Sequence, residues 1–257
     1  MPKSIDVGEL LRKKADQYND LSFIGTDPIQ IPHRFSRRED IEIAGFLAAV
    51  IAWGQRITII NNANKMLACM DEAPHDFITN FSDADLKPLS RFVHRTFNGD
   101  DCLSFIHGLR RVYQTHGGLE TLLRKSFAEE PQYPGRGWTV FKEAFFDGPH
   151  LPRSQKHLPN PATGSAAKRM NMYLRWMVRS DSRNVDFGIW KSFSPAELYI
   201  PLDVHTARVA RKLGILQRKQ DDWKAVIELT DRLREIEPTD PVKLDFALFG
   251  LGAFEKF

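Results

Sequence analysis

The residue types best suited to chemistry in this chain lie between Ser165 and Gly214. The stretch opens as Ser165-Ala166-Ala167-Lys168-Arg169-Met170-Asn171-Met172-Tyr173-Leu174-Arg175-Trp176-Met177-Val178-Arg179. On a helix, Lys168, Asn171, Met172 and Arg175 share one face at i, i+3, i+4 and i+7. Met170, Leu174 and Met177 fall on another face and read as core. A lysine flanked by cations and pressed against apolar neighbours gives up its proton more easily, so its amine becomes nucleophilic near neutral pH. A solvated basic face would show the same spacing. Further on, Pro201-Leu202-Asp203-Val204-His205 leads into a helix that should end at Gly214. Asp203 stands at its N-cap, where a carboxylate meets free backbone N–H groups and the positive end of the macrodipole; a purely structural cap reads the same way. Arg208, Arg211 and Lys212 form a cationic stripe suited to phosphates or to water.

Two other groups compete for attention. His205, Asp186, Asp240 and Asp245 offer a metal-site reading. It is weak, because no second histidine lies near His205 in sequence. His205 reads instead as hydrogen-bonded near a helix start, Asp240 as a cap, and Asp245 as partner to a neighbouring Lys or Arg. Trp53, Trp176, Phe187 and Trp190 are aromatics that could stack a base, although such residues more often fill a core. No metal and no other cofactor is expected.

The elements that must position these residues read almost entirely as helix. Ser36-Arg37-Arg38-Glu39 has the form of a capping box that launches Ile41 through Trp53, a helix apolar nearly all round. Ile57 to Met70 continues in helical period. Ser82-Asp83-Ala84-Asp85 is a weaker start signal for Leu86 to Val93, and Asp101 to Gln114 is amphipathic with a stop at Gly117-Gly118. Asp240-Pro241 combines an N-cap with Pro at N1, opening a last helix that should stop near Gly250 or Gly252. Leu21 to Phe35, with Pro28 and Pro32, reads as extended chain, and Pro149 to Gly164 as a long ordered loop with basic residues. Strand signals are scarce and no internal repeat is visible. The class is all-α.

Composition narrows the field without deciding it. The 257 residues carry a net charge of +3 with 27% charged and 42% hydrophobic residues, ordinary for a globular protein and only mildly basic. Two cysteines, Cys69 and Cys102, allow neither a disulfide framework nor a four-cysteine iron–sulfur cluster. Met1-Pro2-Lys3-Ser4 lacks the apolar core of a signal peptide. Ile43 to Gly54, the longest uncharged apolar stretch, is shorter than the roughly 20 residues a bilayer requires. These features lead to the expectation of a cytoplasmic monomer with no membrane partner.

Several of these motifs, in this chain order, resemble the helix-hairpin-helix DNA glycosylase superfamily. Pro201 to Gly214 is similar to the segment in which a catalytic Asp precedes a basic helix closed by Leu-Gly. Trp53-Gly54-Gln55 is similar to the step whose Gln inserts into DNA, and Lys168 falls where the Schiff-base lysine falls. The resemblance covers about Ile41 to Gly252. It implies a two-lobed architecture, with a six-helix lobe over 41–165, a second lobe of 1–35 plus 166–257, and the site in the cleft between them. The Gly-hydrophobic-Gly hairpin is degenerate here: Pro159-Asn160-Pro161-Ala162-Thr163-Gly164-Ser165 keeps a single Gly. Lys168 and Asp203 are also further apart in sequence than in most members. Both features resemble the archaeal 8-oxoguanine glycosylases. The whole chain is also similar to an uncharacterised bacterial family marked by Lys168-Arg169-Met170-Asn171, Pro201-Leu202-Asp203-Val204-His205 and Asp240-Pro241.

The resemblance implies a DNA glycosylase and AP lyase of base excision repair, acting on damaged double-stranded DNA. Lys168 and Asp203 would be its catalytic pair, converging within about 4–7 Å for direct or water-mediated proton transfer. Gln55, Arg175, Arg208, Arg211 and Lys212 would contact DNA, helped by Arg153, Lys156 and His157 of the basic loop. Trp53, Trp176, Phe187 and Trp190 would be candidates for the base pocket. Two rival functions stay open: a non-catalytic or RNA-directed nucleic-acid binder on the same fold, and a metal-dependent hydrolase.

Overall fold

Short polar side chains start many of the helices in this chain. The computed structural model describes residues 6–257; Met1 to Ser4, whose composition bears on the leader question, lie outside the described residues. Asp6 accepts from the Glu9 N–H and opens α1 (Val7–Tyr18). After it come α2 (Arg38–Val50), α3 (Arg56–Ala68), α4 (Pro74–Asn80) and the single turn α5 (Leu86–Leu89). The chain continues through α6 (Gly99–Thr115), α7 (Leu119–Ser126) and α8 (Arg136–Phe145). The last four are α9 (Lys168–Val178), α10 (Val204–Lys212), α11 (Trp223–Ile236) and α12 (Asp245–Ala253). Among the described residues there is no strand, only isolated bridges at His94–Phe97 and Ser165–Asp222. The protein is all-α. No helix among the described residues is long and apolar enough to cross a membrane.

The chain forms two compact units: the described residues up to Gly25 together with Thr163–Phe257, and Thr26–Ala162. In the unit built from both ends of the chain, α12 packs against α1 and α10. Small residues make those approaches possible. A Cβ on Gly250 would lie 2.1 Å from Cδ2 of Tyr18 on α1, and one on Gly252 would lie 2.9 Å from Cβ of His205 on α10. α12 ends at Ala253, beside Gly252 as expected, and these close approaches are why both positions are glycine. Its start differs from expectation, since Asp240 caps a short 3-10 turn (Pro241–Leu244) that leads into α12.

In the Thr26–Ala162 unit the core is aromatic, with Phe46 of α2, Phe105 of α6, and Phe141 and Phe145 of α8 packed ring against ring. Every residue of α2 from Ile41 to Val50 is buried, as its all-round apolar pattern requires. Glu42 is no exception to good packing, because Arg38 and the Tyr113 hydroxyl satisfy it at 3.0 and 2.7 Å.

Several starts differ from the sequence reading. The N-cap of α2 is Arg37, with no side-chain cap; its guanidinium pairs with Glu39 and Asp76, and the Ser36 box does not form. α5 ends at Leu89, and the Asp85 carboxylate accepts from the N–H and hydroxyl of Ser82 rather than from the helix. Leu21–Phe35 is a succession of 3-10 turns (Leu21–Thr26, Pro28–Gln30 and Pro32–Arg34), not extended chain. Pro28 and Pro32 each take the first helical position, where their fixed φ is helical and no N–H is missed. The start of α6 carries a full capping box, Asn98 with Asp101.

Candidate active site at the starts of α9 and α10

Two helix N-termini of one unit carry the candidate catalytic side chains, and they are built differently. At α10, Asp203 adopts the extended N-cap conformation, and its Oδ1 accepts from the N–H groups of His205 and Thr206, both at 2.9 Å. That leaves Oδ2 for other work. At α9 no side chain caps the helix. Ala167 holds φ 49° and ψ 26°, left-handed backbone that costs a non-glycine residue roughly 1–2 kcal/mol. Asn171 spans the neighbourhood, its amide donating to the carbonyls of Ala166 and Ile200, each at 3.4 Å. It thereby ties the approach to Lys168 to the approach to Asp203.

Lys168 is the first residue of α9, and its Nζ lies 4.0 Å from Asp203 Oδ2. Both side chains keep access to solvent, at 33% and 20% exposure. An ammonium in the first turn of a helix faces the unfavourable end of the macrodipole, and the opposed carboxylate offsets that cost. Next to it, Arg169 is half-buried, and burial pushes its guanidinium down to about 10. The pair can exchange a proton directly or through one water, and the lysine amine is open to solvent.

Behind the pair lies an ionic network that the sequence did not announce. Arg175, expected on a phosphate-facing surface, is 3% exposed. Its guanidinium pairs with Asp245 at 2.6 Å and Asp186 at 3.3 Å and lies 4.4 Å over the Phe246 ring. No phosphate can reach it without opening the unit. The face it shares with Lys168 is covered from Asn171 onward, so the solvated reading of that face fails too. Arg179, 1% exposed, pairs with Asp186 at 3.1 Å, Asp240 at 2.8 Å and Asp181. Burial pushes Asp240 up to about 6 despite Arg179. Asp245 rises to about 7: burial is the main cause, Arg175 opposes it, and Asp203 adds to it. The sequence reading of Asp245 as partner to a nearby cation and of Asp240 as a cap matches these contacts.

The remaining candidates divide by burial. Trp176 and Trp190 are fully buried; Trp190 meets Tyr173 edge-on and stacks on Phe193. They are core, and neither can serve as a stacking platform. Phe187 is half-buried. Arg208 is exposed but donates to the Gly252 carbonyl at 2.8 Å. Arg211 is held by Asp221 at 2.5 Å and by the Arg218 carbonyl, a half-exposed ion pair that phosphate could replace cheaply. Lys212 is exposed, over the Phe257 ring. The backbone N–H of His205 is hydrogen-bonded near the helix start as expected, but its ring Nδ1 is buried without a hydrogen bond. Among the described residues no group of three or more His, Cys, Asp or Glu is arranged to hold a metal ion, and His205 with Asp186, Asp240 and Asp245 makes none.

In the other unit, Gln55 is the exposed N-cap of α3, preceded by Gly54 at φ 106°. Trp53 is half-buried, stacked 5.7 Å over the His157 ring and edge-on to His94. His157, expected among the phosphate contacts, is 3% exposed and paired with the buried Asp101 at 3.2 Å, so it is structural. Arg153 bonds the Thr96 carbonyl and Asp101, each at 3.2 Å, while Lys156 is exposed. Where a glycine-rich hairpin would stand, Pro161–Thr163 forms one 3-10 turn. Gly164 follows at φ 91°, with nothing within 4 Å of where a Cβ would point. That glycine answers to backbone conformation, not to a close neighbour.

These features define a helical protein with a lysine–carboxylate pair set at two helix N-termini. The chain belongs to the family described as Protein of unknown function (DUF2400), whose profile matches residues 27–254. No curated protein and no solved structure matches it.

Proposed function

We propose that this protein is a DNA glycosylase with AP lyase activity, in which Lys168 is the nucleophile and Asp203 its proton acceptor. The observation that carries the reading is the 4.0 Å approach of Lys168 Nζ to the one Asp203 oxygen that caps nothing. The resemblance of Pro201 to Gly214 and of Trp53-Gly54-Gln55 to helix-hairpin-helix glycosylases supports DNA as the substrate and a two-lobed architecture of that kind. An oxidised purine is the damaged base favoured by the likeness to the archaeal enzymes.

The chemistry follows from the pair. The target nucleotide must leave the stack before its sugar can be reached. Asp203 takes a proton from Lys168, and the amine attacks C1′ as the bond to the base breaks; the base departs with the electron pair and gains a proton. Opening of the C1′–O4′ bond then gives an imine between Lys168 and the sugar. Loss of a C2′ proton breaks the C3′–O bond and releases the 3′ phosphate. A cationic imine beside Asp203 is stabilised where charge develops.

Borohydride reduction of the imine on a duplex with a plain abasic site tests this without requiring base recognition. A covalent protein–DNA adduct should form, survive chelators and vanish in Lys168→Gln. Asp203→Asn should slow trapping by roughly 10²–10⁴-fold, the usual worth of positioned proton transfer. The burial of Arg175 and His157 removes two expected phosphate contacts from this reading and equally from its alternative, a nucleic-acid binder without catalysis. It predicts DNA binding with no adduct.

A further inference from the structure

Lys168 and Asp203 leave from separate segments of the chain, and one buried amide holds both segments. Lys168 follows Ala166-Ala167, and Asp203 follows Ile200-Pro201-Leu202. The Asn171 side chain, on a residue 1% exposed and one turn after Lys168, donates to the Ala166 and Ile200 carbonyls, each at 3.4 Å. Each segment is then fixed further along. The Ala167 N–H donates to Ser165 Oγ at 3.3 Å, and the Ala167 carbonyl accepts from the Asn171 N–H at 2.9 Å. The Ile200 carbonyl also accepts from the Leu202 N–H at 2.9 Å, which folds the chain tightly just before Asp203. The Ile200 N–H donates to Thr230 Oγ1 of α11 at 3.1 Å. The amide of Asn171 supplies two donors and no charge. Aspartate would set a carboxylate against two carbonyls, and alanine would leave both without this donor. Buried as they are, the carbonyls would lose the bond without water to replace it.

Resting on the proposed lysine–carboxylate mechanism, we propose that Asn171 is a positioning residue: it sets the separation of Lys168 Nζ and Asp203 Oδ2, and with it the proton transfer that frees the amine. At 4.0 Å the two groups do not hold one another by a hydrogen bond, so their spacing is kept by the backbone that carries them. Asn171 is the side chain that joins those two backbones. Its burial keeps it off any substrate, so its influence falls on the rate of the chemical step and not on DNA affinity. A displacement of about 1 Å between reacting groups can cost about 10²-fold.

The reactivity of Lys168 can be read without DNA. Acetaldehyde condenses with a lysine amine, losing water, and cyanoborohydride reduces the imine; peptide mass spectrometry then gives the rate at each lysine. Exposed Lys219 is the internal reference. In the full-length protein, Asn171→Ala should slow labelling of Lys168 by about tenfold or more while Lys219 keeps its rate. Asn171→Ser, which keeps one donor, should fall between, and it carries the test if Asn171→Ala does not fold. Asp203→Asn should slow Lys168 as well. The double variant should be no slower than the slower single one, because both changes remove the same proton transfer. Unchanged labelling of Lys168 in the Asn171 variants, or losses that multiply in the double variant, would overturn the proposal. In trapping on the abasic duplex, the Asn171 variants should lower the rate at saturating DNA and leave the DNA concentration for half-maximal rate unchanged; a change in that concentration alone also overturns the role. Slowed labelling of Lys168 without any DNA adduct from the unaltered protein would sink the glycosylase reading alone. An adduct whose rate ignores Asn171 would sink this proposal alone.

Discussion

The starts of α9 and α10 lie side by side and obey opposite rules. α10 begins in the most favourable way a helix can, with an extended Asp203 satisfying two N–H groups. α9 begins with a left-handed alanine and no side-chain cap. One end gains stability from the residue that also faces the lysine, while the other holds strain immediately before the lysine. The strain persists because neighbours over-determine it: Asn171 grips the Ala166 carbonyl, and the Ala167 N–H donates to Ser165 Oγ at 3.3 Å. Backbone in a sparsely populated region is a reason to look for function at Lys168, whereas a well-capped Asp203 alone would justify only a structural role.

This contrast can be broken at its support first. Arg179→Met leaves Asp186, Asp240 and Asp181 without their shared cation. Removing one partner from a buried ionic network costs about 3–5 kcal/mol, so chemical denaturation should show a loss of that size. A loss under 1 kcal/mol would mean that the network does not hold the two starts. Gly250→Ala comes next. Its new methyl meets the Tyr18 ring, and overpacking of this kind costs about 1–3 kcal/mol; a stable variant would require α1 to have moved, which the fluorescence of the nearby tyrosine would report.

The two starts themselves should respond with opposite signs. Asp203→Ala should destabilise by about 1 kcal/mol, the worth of an N-cap. Ala167→Gly should stabilise by somewhat under 1 kcal/mol, because relief of the left-handed strain exceeds the entropy that glycine adds to the unfolded chain. If Ala167→Gly destabilises instead, the start of α9 is not strained and the contrast disappears.

Stability should also depend on pH. Asp245 and Asp240 have raised carboxyls in the folded state, at about 7 and about 6. The folded protein therefore holds more protons than the unfolded chain between the ordinary carboxylate range, near 4, and those values. Their contribution to stability is fully present below about 4 and is lost as pH rises through about 6 to 7. Asp245→Asn should flatten the fall in stability across that window. Asp222 acts in the opposite sense: Arg218 lowers it to about 2, so its contribution is lost as pH falls from about 4 toward 2.

What the sequence made legible here is what short-range chemistry controls. Asp203 could be placed at a cap because capping needs only the next three residues, and α2 could be placed in the core because it is apolar on every side. Arg175 was misread because periodicity groups residues by face without saying which face is covered. Only Asp245, 70 residues on, together with Asp186 from the segment after α9, turns a basic stripe into a buried network. The glycines of α12 showed where the helix ends but not why they are glycine, because the ring of Tyr18 and the atoms of His205 that demand them come from other helices. Pro28 and Pro32 were read as extended chain because the residue before a proline prefers it, yet proline itself suits the first position of a helical turn.

The central claim is that the Lys168 amine forms a covalent bond to DNA sugar, and peptide mapping of the borohydride-reduced adduct tests it most directly. The adduct from a duplex with one abasic site would be digested and sequenced by tandem mass spectrometry. The account predicts that the reduced sugar is carried by Lys168, with Asp203→Asn giving the same site at a lower rate. A modification confined to any other lysine, or a folded protein that binds the duplex and yields no adduct, would contradict it.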